Sequence, residues 1–194
     1  FLYLAFNAVH SPLQAPEDYT KDFSQLRQKR KTFAGMLTGL DRAVGRVLDT
    51  LKERKVEENT LVVFLSDNGG PTQQTTSKNG PLRGVKGQVY EGGVRVPFIM
   101  QWKSKAAPGR SASDPCISLD LFPTFLEAAG ISAHAARPGL EGRSLMPLLM
   151  GDKSTRPSRP LFWRFGSQHA VRSGDWKLVV RQNAQPELYQ LTED

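Results

Sequence analysis

A chain of 194 residues, 39% hydrophobic and 23% charged, has the composition of a globular protein, enough for one large domain or one domain with a small appendage. Its formal charge of +7 favours acidic partners such as sulfated or phosphorylated sugars, nucleic acid or an anionic surface; the basic residues are spread out and interleaved with no aromatic motif, which argues against nucleic acid. A single cysteine, Cys116, excludes an internal disulfide and a multi-thiolate zinc site, and no apolar run is long enough to span a membrane.

Residues 1–6, Phe-Leu-Tyr-Leu-Ala-Phe, read as a buried strand that opens into Asn7-Ala8-Val9-His10-Ser11-Pro12. Pro12 and Pro16 keep the adjoining segment extended or turning, so His10 falls just past a strand end. Taken alone, a histidine among prolines is a solvated loop residue. With no initiating Met and no basic n-region, a chain that opens inside a strand-like run reads as a fragment or a processed chain, and its compartment is hidden.

Residues 31–54 carry the clearest helical pattern. Phe33, Leu37, Leu40, Val44, Val47, Leu48 and Leu51 recur every three or four positions, and Lys52 and Arg54 suit the negative end of the last turn. This helix is scaffold with a solvated basic face.

Residues 61–65 are five consecutive apolar positions, the pattern of a strand buried on both faces in a parallel sheet. The run stops at Asp67-Asn68-Gly69-Gly70. Ligands of open α/β sheets sit beyond the carboxyl ends of strands, so Asp67 and Asn68 present two oxygen ligands there. The same four residues also read as an ordinary turn.

Residues 71–80 are polar and aperiodic, a surface loop. Residues 81–97 place four glycines and four charges in one irregular span, a length that loops keep for function. A third short strand comes next, over 97–102. A helix over 119–129 is led in by Asp120 and Pro123 and closed by Gly130. Cys116, apolar on one side, reads as a buried structural thiol. Residues 133–160, rich in Pro, Gly and Arg, read as a connector with His134 exposed.

From residue 161 the pattern changes to short alternating runs over 161–165, 169–172, 176–181 and 188–191, a small antiparallel meander. The fold class is therefore α/β, a mixed or parallel sheet flanked by helices plus a small antiparallel C-terminal subdomain. The expected layout is residues 1–132, a connector over 133–160, and the subdomain over 161–194.

Three candidate loop sites lie just past predicted strand ends: His10, the Asp67/Asn68 pair and Lys86. An imidazole, two hard oxygen ligands and a compact cation suit chemistry on a tetrahedral oxyanion.

Seven stretches together resemble one family. Asp67-Asn68-Gly69-Gly70, then Leu82-Arg83-Gly84-Val85-Lys86-Gly87 and Tyr90-Glu91-Gly92-Gly93-Val94-Arg95-Val96-Pro97, are similar to the sulfatases of the alkaline-phosphatase superfamily. The His10-Ser11-Pro12-Leu13-Gln14-Ala15-Pro16, Asp120-Leu121-Phe122-Pro123-Thr124, Leu140-Glu141-Gly142-Arg143-Ser144-Leu145 and Ala170 to Leu178 stretches resemble the arylsulfatase B and N-acetylgalactosamine-sulfatase branch, in the same order along the chain.

The resemblance implies an alkaline-phosphatase-like fold and hydrolysis of a sulfate ester, of a sulfated sugar or a small molecule. It implies that Asp67 and Asn68 are calcium ligands, that Lys86 contacts the sulfate and the bridging oxygen, and that His10 hydrogen-bonds the ester and helps protonate the departing alcohol. Glu91, Gly92 and Gly93 become a turn that places the Lys86 loop. Arg83 and Arg95 form ion pairs within the fold, and His169 flanks the cleft.

The family also needs a formylglycine, made from a Cys/Ser-x-Pro-x-Arg signature, and an Asp-Asp pair that completes the calcium site. Cys116-Ile117-Ser118-Leu119 lacks that signature, so the resemblance places both elements upstream of Phe1 and makes these residues inactive by themselves. Two further readings remain open: a phosphatase or phosphonate-ester hydrolase of the same superfamily, weakened because Asn68 stands where zinc relatives carry histidine, and a non-catalytic module for anionic glycans. A sheet edge left unpaired implies self-association or pairing with a missing N-terminal part. The family's calcium use and glycan substrates suggest a periplasmic, secreted or lysosomal setting.

Overall fold

The structure is a computed structural model that describes residues 1–132, 139–152 and 158–193. Its elements run α1 (Glu17–Thr20), α2 (Gln28–Glu53), β1 (Val62–Leu65), α3 (Thr72–Thr75), α4 (Glu91–Val94), β2 (Phe98–Gln101), α5 (Leu121–Ala128), α6 (Met146–Met150), β3 (Leu161–Phe165), β4 (Gln168–Ser173), β5 (Trp176–Val180) and β6 (Glu187–Gln190). The α/β class therefore holds.

Helix α2 forms where the apolar stripe placed it. It buries Phe33 and Gly35, and α1 lies so close that a side chain on Gly35 would meet the Thr20 methyl at 2.5 Å. Further along the same stripe, Leu37 and Leu48 stay exposed.

Two expectations about strands fail. Residues 1–6 form no strand, and Phe1, Leu2 and Tyr3 are exposed; a hydrophobic run becomes a strand only when another backbone satisfies its N–H and C=O groups, and none among the described residues does. Strand β1 pairs with β2 in an antiparallel ladder, Val62 opposite Gln101 and Leu65 opposite Phe98. It is not parallel, and not buried on both faces: Val62 and Val63 are half-buried, Phe64 and Leu65 exposed. A continuous apolar run does not encode strand direction. The expected loop at 71–80 holds one helical turn, α3, and Cys116 is half-buried, not buried. His134 lies outside the described residues.

The meander is an antiparallel sheet in the order β3-β4-β5-β6. Tight turns at Gly166 and Gly174, both in the left-handed region, join its first three strands. One face carries Trp163, Ala170, Val179 and Tyr189 and packs on Val89 and Tyr90, the main buried cluster among the described residues. This seats the sheet on the segment just after Lys86. The opposite face leaves Phe162, Trp176 and Leu188 exposed.

Helix α5 is anchored by Asp120, which is fully buried and accepts the backbone N–H groups of Ile117 at 3.2 Å and Arg143 at 2.8 Å while pairing with Arg159. The Thr124 hydroxyl, also buried, accepts the Leu145 N–H at 2.8 Å, which ties α6 to α5.

Candidate functional site

The Asp67–Asn68 turn leaves the end of β1 and folds back on itself. The Ser66 hydroxyl donates to the Asn68 carbonyl at 2.9 Å, and the Asn68 amide donates to the Gly69 carbonyl at 3.1 Å, while its Oδ1 takes no hydrogen bond from the described residues. Gly69 N–H donates to the Gly93 carbonyl at 2.9 Å, and a Cβ on Gly69 would stand 1.8 Å from the Gly92 oxygen. Only glycine lets the two backbones approach this closely. Asn79 closes the turn from the other side: it accepts the Gly70 N–H at 2.8 Å and donates to the Gly70 carbonyl at 2.8 Å and the Gly84 carbonyl at 3.2 Å.

The Lys86 loop lies between α3 and α4 and succeeds no strand, contrary to expectation. Gly84 and Gly87 turn it in the left-handed region. It too rests on α4. Gly92 N–H donates to the Arg83 carbonyl at 2.7 Å, and a Cβ on Gly93 would stand 2.0 Å from the Gln88 oxygen. The Gly92–Gly93 step is thus shared: the Asp67 turn packs on one side of it and the Lys86 loop on the other. The β3–β4 hairpin braces the loop through Gln168, whose amide donates to the Gly87 carbonyl at 2.9 Å.

His10 and Lys86 meet directly, with Nζ 3.0 Å from Nε2. His10 Nδ1 lies 2.7 Å from the Ser11 carbonyl, an acceptor only, so Nδ1 carries the proton and Nε2 accepts from the Lys86 ammonium. His10 is exposed and Lys86 half-buried. The pair sits on open surface. Two concave regions lie elsewhere, one of about 170 Å³ between α2 and the β1–β2 ladder and one of about 450 Å³ on the outer face of the β3–β6 sheet, where exposed His169 lies with Phe162 and Arg164.

Glu91 begins α4. Its Oε1 takes the Lys177 ammonium at 2.7 Å, while Arg172 and Arg95 approach Oε2 at 3.9 and 4.0 Å. Lys177 is 1% exposed, and its ammonium lies 4.8 Å from the centre of the Trp163 ring. Burial pulls the Lys177 ammonium below the usual lysine range, against the pull of Glu91. The run Trp176-Lys177-Leu178-Val179-Val180 signals this residue in sequence, since strand alternation puts Lys177 on the face of buried Val179.

Arg83 pairs with Glu187 at 3.2 Å, stacks 4.3 Å from the centre of the Tyr90 ring and hydrogen-bonds the Tyr189 hydroxyl. The internal ion pairs expected of Arg83 and Arg95 therefore form. Hydrogen bonds from Tyr90 and Tyr189 hold the Glu187 carboxyl down at about 2. Burial and the bond to Glu187 push Tyr189 up to about 12.

The exposed Asp67 carboxylate and the Asn68 Oδ1 are hard oxygens with no partner among the described residues, a donor set suited to a hard cation such as calcium and not to zinc. No cluster of three or more His, Cys, Asp or Glu side chains gathers among the described residues, so the two supply only part of a shell of about six to eight ligands.

The α/β scaffold on which the Lys86–His10 contact and the Asp67–Asn68 turn are built is the alkaline-phosphatase-like fold. The sulfatase family model matches residues 1–131, and the model for the C-terminal part of N-sulphoglucosamine sulphohydrolase matches residues 85–194. The chain belongs to the sulfatase family.

Among curated relatives, the uncharacterized sulfatase YdeN of Escherichia coli is 37% identical over 171 residues, covering 87% of this chain and 30% of the relative. The N-acetylgalactosamine-6-sulfatase of Canis lupus familiaris is 32% identical over 181 residues, covering 91% of this chain and 33% of the relative. Among solved structures, Ps i-CgsB in complex with k-i-k-neocarrahexaose superposes with a TM-score of 0.90 at 36% identity, covering all of this chain and 44% of that one. The chain spans about a third of the length of the curated relatives it matches.

Proposed function

We propose that the whole protein is a sulfuric ester hydrolase acting on a sulfated sugar, with His10 and Lys86 as catalytic and substrate-binding residues and Asp67 and Asn68 as metal ligands. The observation that carries this reading is the 3.0 Å contact between Lys86 and His10, on a loop that shares its backbone support with the Asp67–Asn68 turn. The Lys86 ammonium binds the negative sulfate oxygens and neutralises charge that builds on the bridging oxygen. His10, once it has taken up a solvent proton at Nε2, hydrogen-bonds that oxygen and gives this proton to the departing alkoxide, returning to the neutral form with its proton on Nδ1. Without substrate the Lys86 ammonium bonds the unprotonated His10 Nε2; an ester oxygen entering between them displaces that contact.

Calcium held by Asp67 and Asn68, with ligands from elsewhere in the whole protein, would supply charge stabilisation at the sulfate oxygens. A formylglycine, placed by family resemblance upstream of these residues, would supply the nucleophile. The sugar reading draws on the oligosaccharide bound by i-CgsB, the N-acetylgalactosamine-6-sulfatase name of a relative, and the formal charge of +7. A phosphonate-ester reading is weaker. Two phosphonate monoester hydrolases share the fold at 24% and 21% identity, but Asn68 offers a carboxamide where zinc would favour imidazole.

The layout over residues 1–132, 133–160 and 161–194 belongs to this proposal, as do a periplasmic, secreted or lysosomal setting and pairing of the exposed 1–6 segment with another chain or another part of the protein. No helix among the described residues is long and apolar enough to cross a membrane. The test is turnover of sulfated oligosaccharides and a chromogenic aryl sulfate by the whole protein, with and without a calcium chelator. Turnover that the chelator abolishes and added calcium restores is expected; indifference to the chelator contradicts the metal assignment.

A further inference from the structure

Lys177 lies on β5, far along the chain from any residue of the proposed site, yet it reaches the element on which that site rests. Its Nζ is 2.7 Å from Glu91 Oε1, and it is 1% exposed. Glu91 is succeeded at once by Gly92 and Gly93, whose backbone holds the Lys86 loop through Arg83 and Gln88 and the Asp67–Asn68 turn through Gly69. Glu91 Oε2 is buried and hydrogen-bonded to nothing among the described residues, with Arg172 and Arg95 at 3.9 and 4.0 Å, so the bond to Lys177 is the one short contact on this carboxylate.

A buried ion pair is a poor way to gain stability, because desolvating both charges offsets their attraction; a methionine would fill the same space beside Trp163. What the pair supplies is register. It pins one end of α4 to one strand of the sheet, and the two loops hang from the next two residues.

Resting on the function proposed above, we infer that Lys177 is a positioning residue: through Glu91 it fixes the Gly92–Gly93 step, so the β3–β6 sheet sets the spacing between the Lys86 ammonium and the Asp67–Asn68 oxygens. Lys177 touches no reacting atom. Its loss shifts the two loops relative to each other, and misplacement of about 1 Å costs turnover more than it costs substrate capture.

The experiment compares Lys177→Met, Lys177→Arg and the charge-free pair Glu91→Gln/Lys177→Met in the whole protein, each well below its melting temperature. Steady-state kcat and KM on an aryl sulfate and calcium affinity by calorimetry are the readouts. The expected result for Lys177→Met is a kcat lower by about 10- to 100-fold with KM little changed. Calcium binding weakens by about 10-fold, and Lys177→Arg, which keeps the charge, recovers most of both. Should Lys177→Met fail to fold, the charge-free pair is expected to fold with the same losses. Wild-type kcat and calcium affinity in any folded variant lacking the ammonium overturn the inference while leaving the sulfatase reading intact. Absence of sulfate-ester turnover by the unmodified protein overturns both.

Discussion

Lys86 and His10 are 76 residues apart in sequence, and their side chains meet at 3.0 Å. His10 arrives on a segment turned by Pro12, whereas Lys86 arrives on a loop turned by Gly84 and Gly87 and braced by α4 and the β3–β4 hairpin. The loop is supported from two sides and Lys86 is half-buried, whereas His10 is exposed and held through its Nδ1; in the proposed reaction His10 is the partner that moves a proton.

If His10 protonates the leaving alcohol, its removal matters most where the alcohol leaves poorly. His10→Ala in the whole protein is expected to lower kcat on a sugar sulfate by about 100-fold or more. On a nitrophenyl sulfate, whose leaving group needs little help, the loss is expected to be much smaller. Equal losses on both substrates would remove the acid role.

Gly69 is where the Asp67–Asn68 turn touches α4, and any side chain there strikes backbone: a Cβ would lie 1.8 Å from the Gly92 oxygen and 2.9 Å from the Gly93 Cα. Neither atom is the free end of a flexible side chain. Gly69→Ala is therefore expected to cost about 3 kcal/mol, visible as a lowered denaturation midpoint. Gly45→Ala is the control, since nothing lies within 4 Å of its Cβ position. That substitution is expected to be neutral or slightly stabilising.

The Glu187 cluster ties β6 to the Lys86 loop and responds to pH. Glu187 is held at about 2 against an ordinary 4.5, so what its ionised form contributes is complete above about 4.5 and lost as the pH falls through about 2. Tyr189 stands at about 12 against an ordinary 10; the contribution of its neutral phenol is complete below about 10 and lost as the pH rises through about 12. Thermal melts of Glu187→Gln are expected to lose that share of the acid dependence between about pH 5 and about pH 2. A melting profile parallel to the unmodified protein across this window would show that Glu187 is not so held.

Much of this arrangement is legible in the sequence, for reasons that differ by element. Periodicity places α2 within a few residues, because an amphipathic stripe is a local property. The alternation in the last part of the chain gives all four strands of the β3–β6 sheet, since hairpins joined by Gly166 and Gly174 pair with their sequence neighbours. The direction of β1 and the fate of residues 1–6 are not legible, because both depend on which other backbone is present to pair. Motif strings mark His10, Asp67, Asn68 and Lys86 as candidates but say nothing of what supports them. The Gly92–Gly93 step looks like a turn that serves one loop; that it serves two, and is tied to Lys177, depends on contacts between residues 86 apart.

The most direct test of the proposed site is the kcat/KM of Lys86→Ala in the whole protein on a sulfate ester, alongside its melting temperature. The expected result is a loss of about 100- to 1000-fold with little change in melting, because in the proposed reaction Lys86 acts on the charge of the transition state, while among the described residues its ammonium bonds only exposed His10. Turnover within a few-fold of the unmodified protein would contradict the assignment of this site.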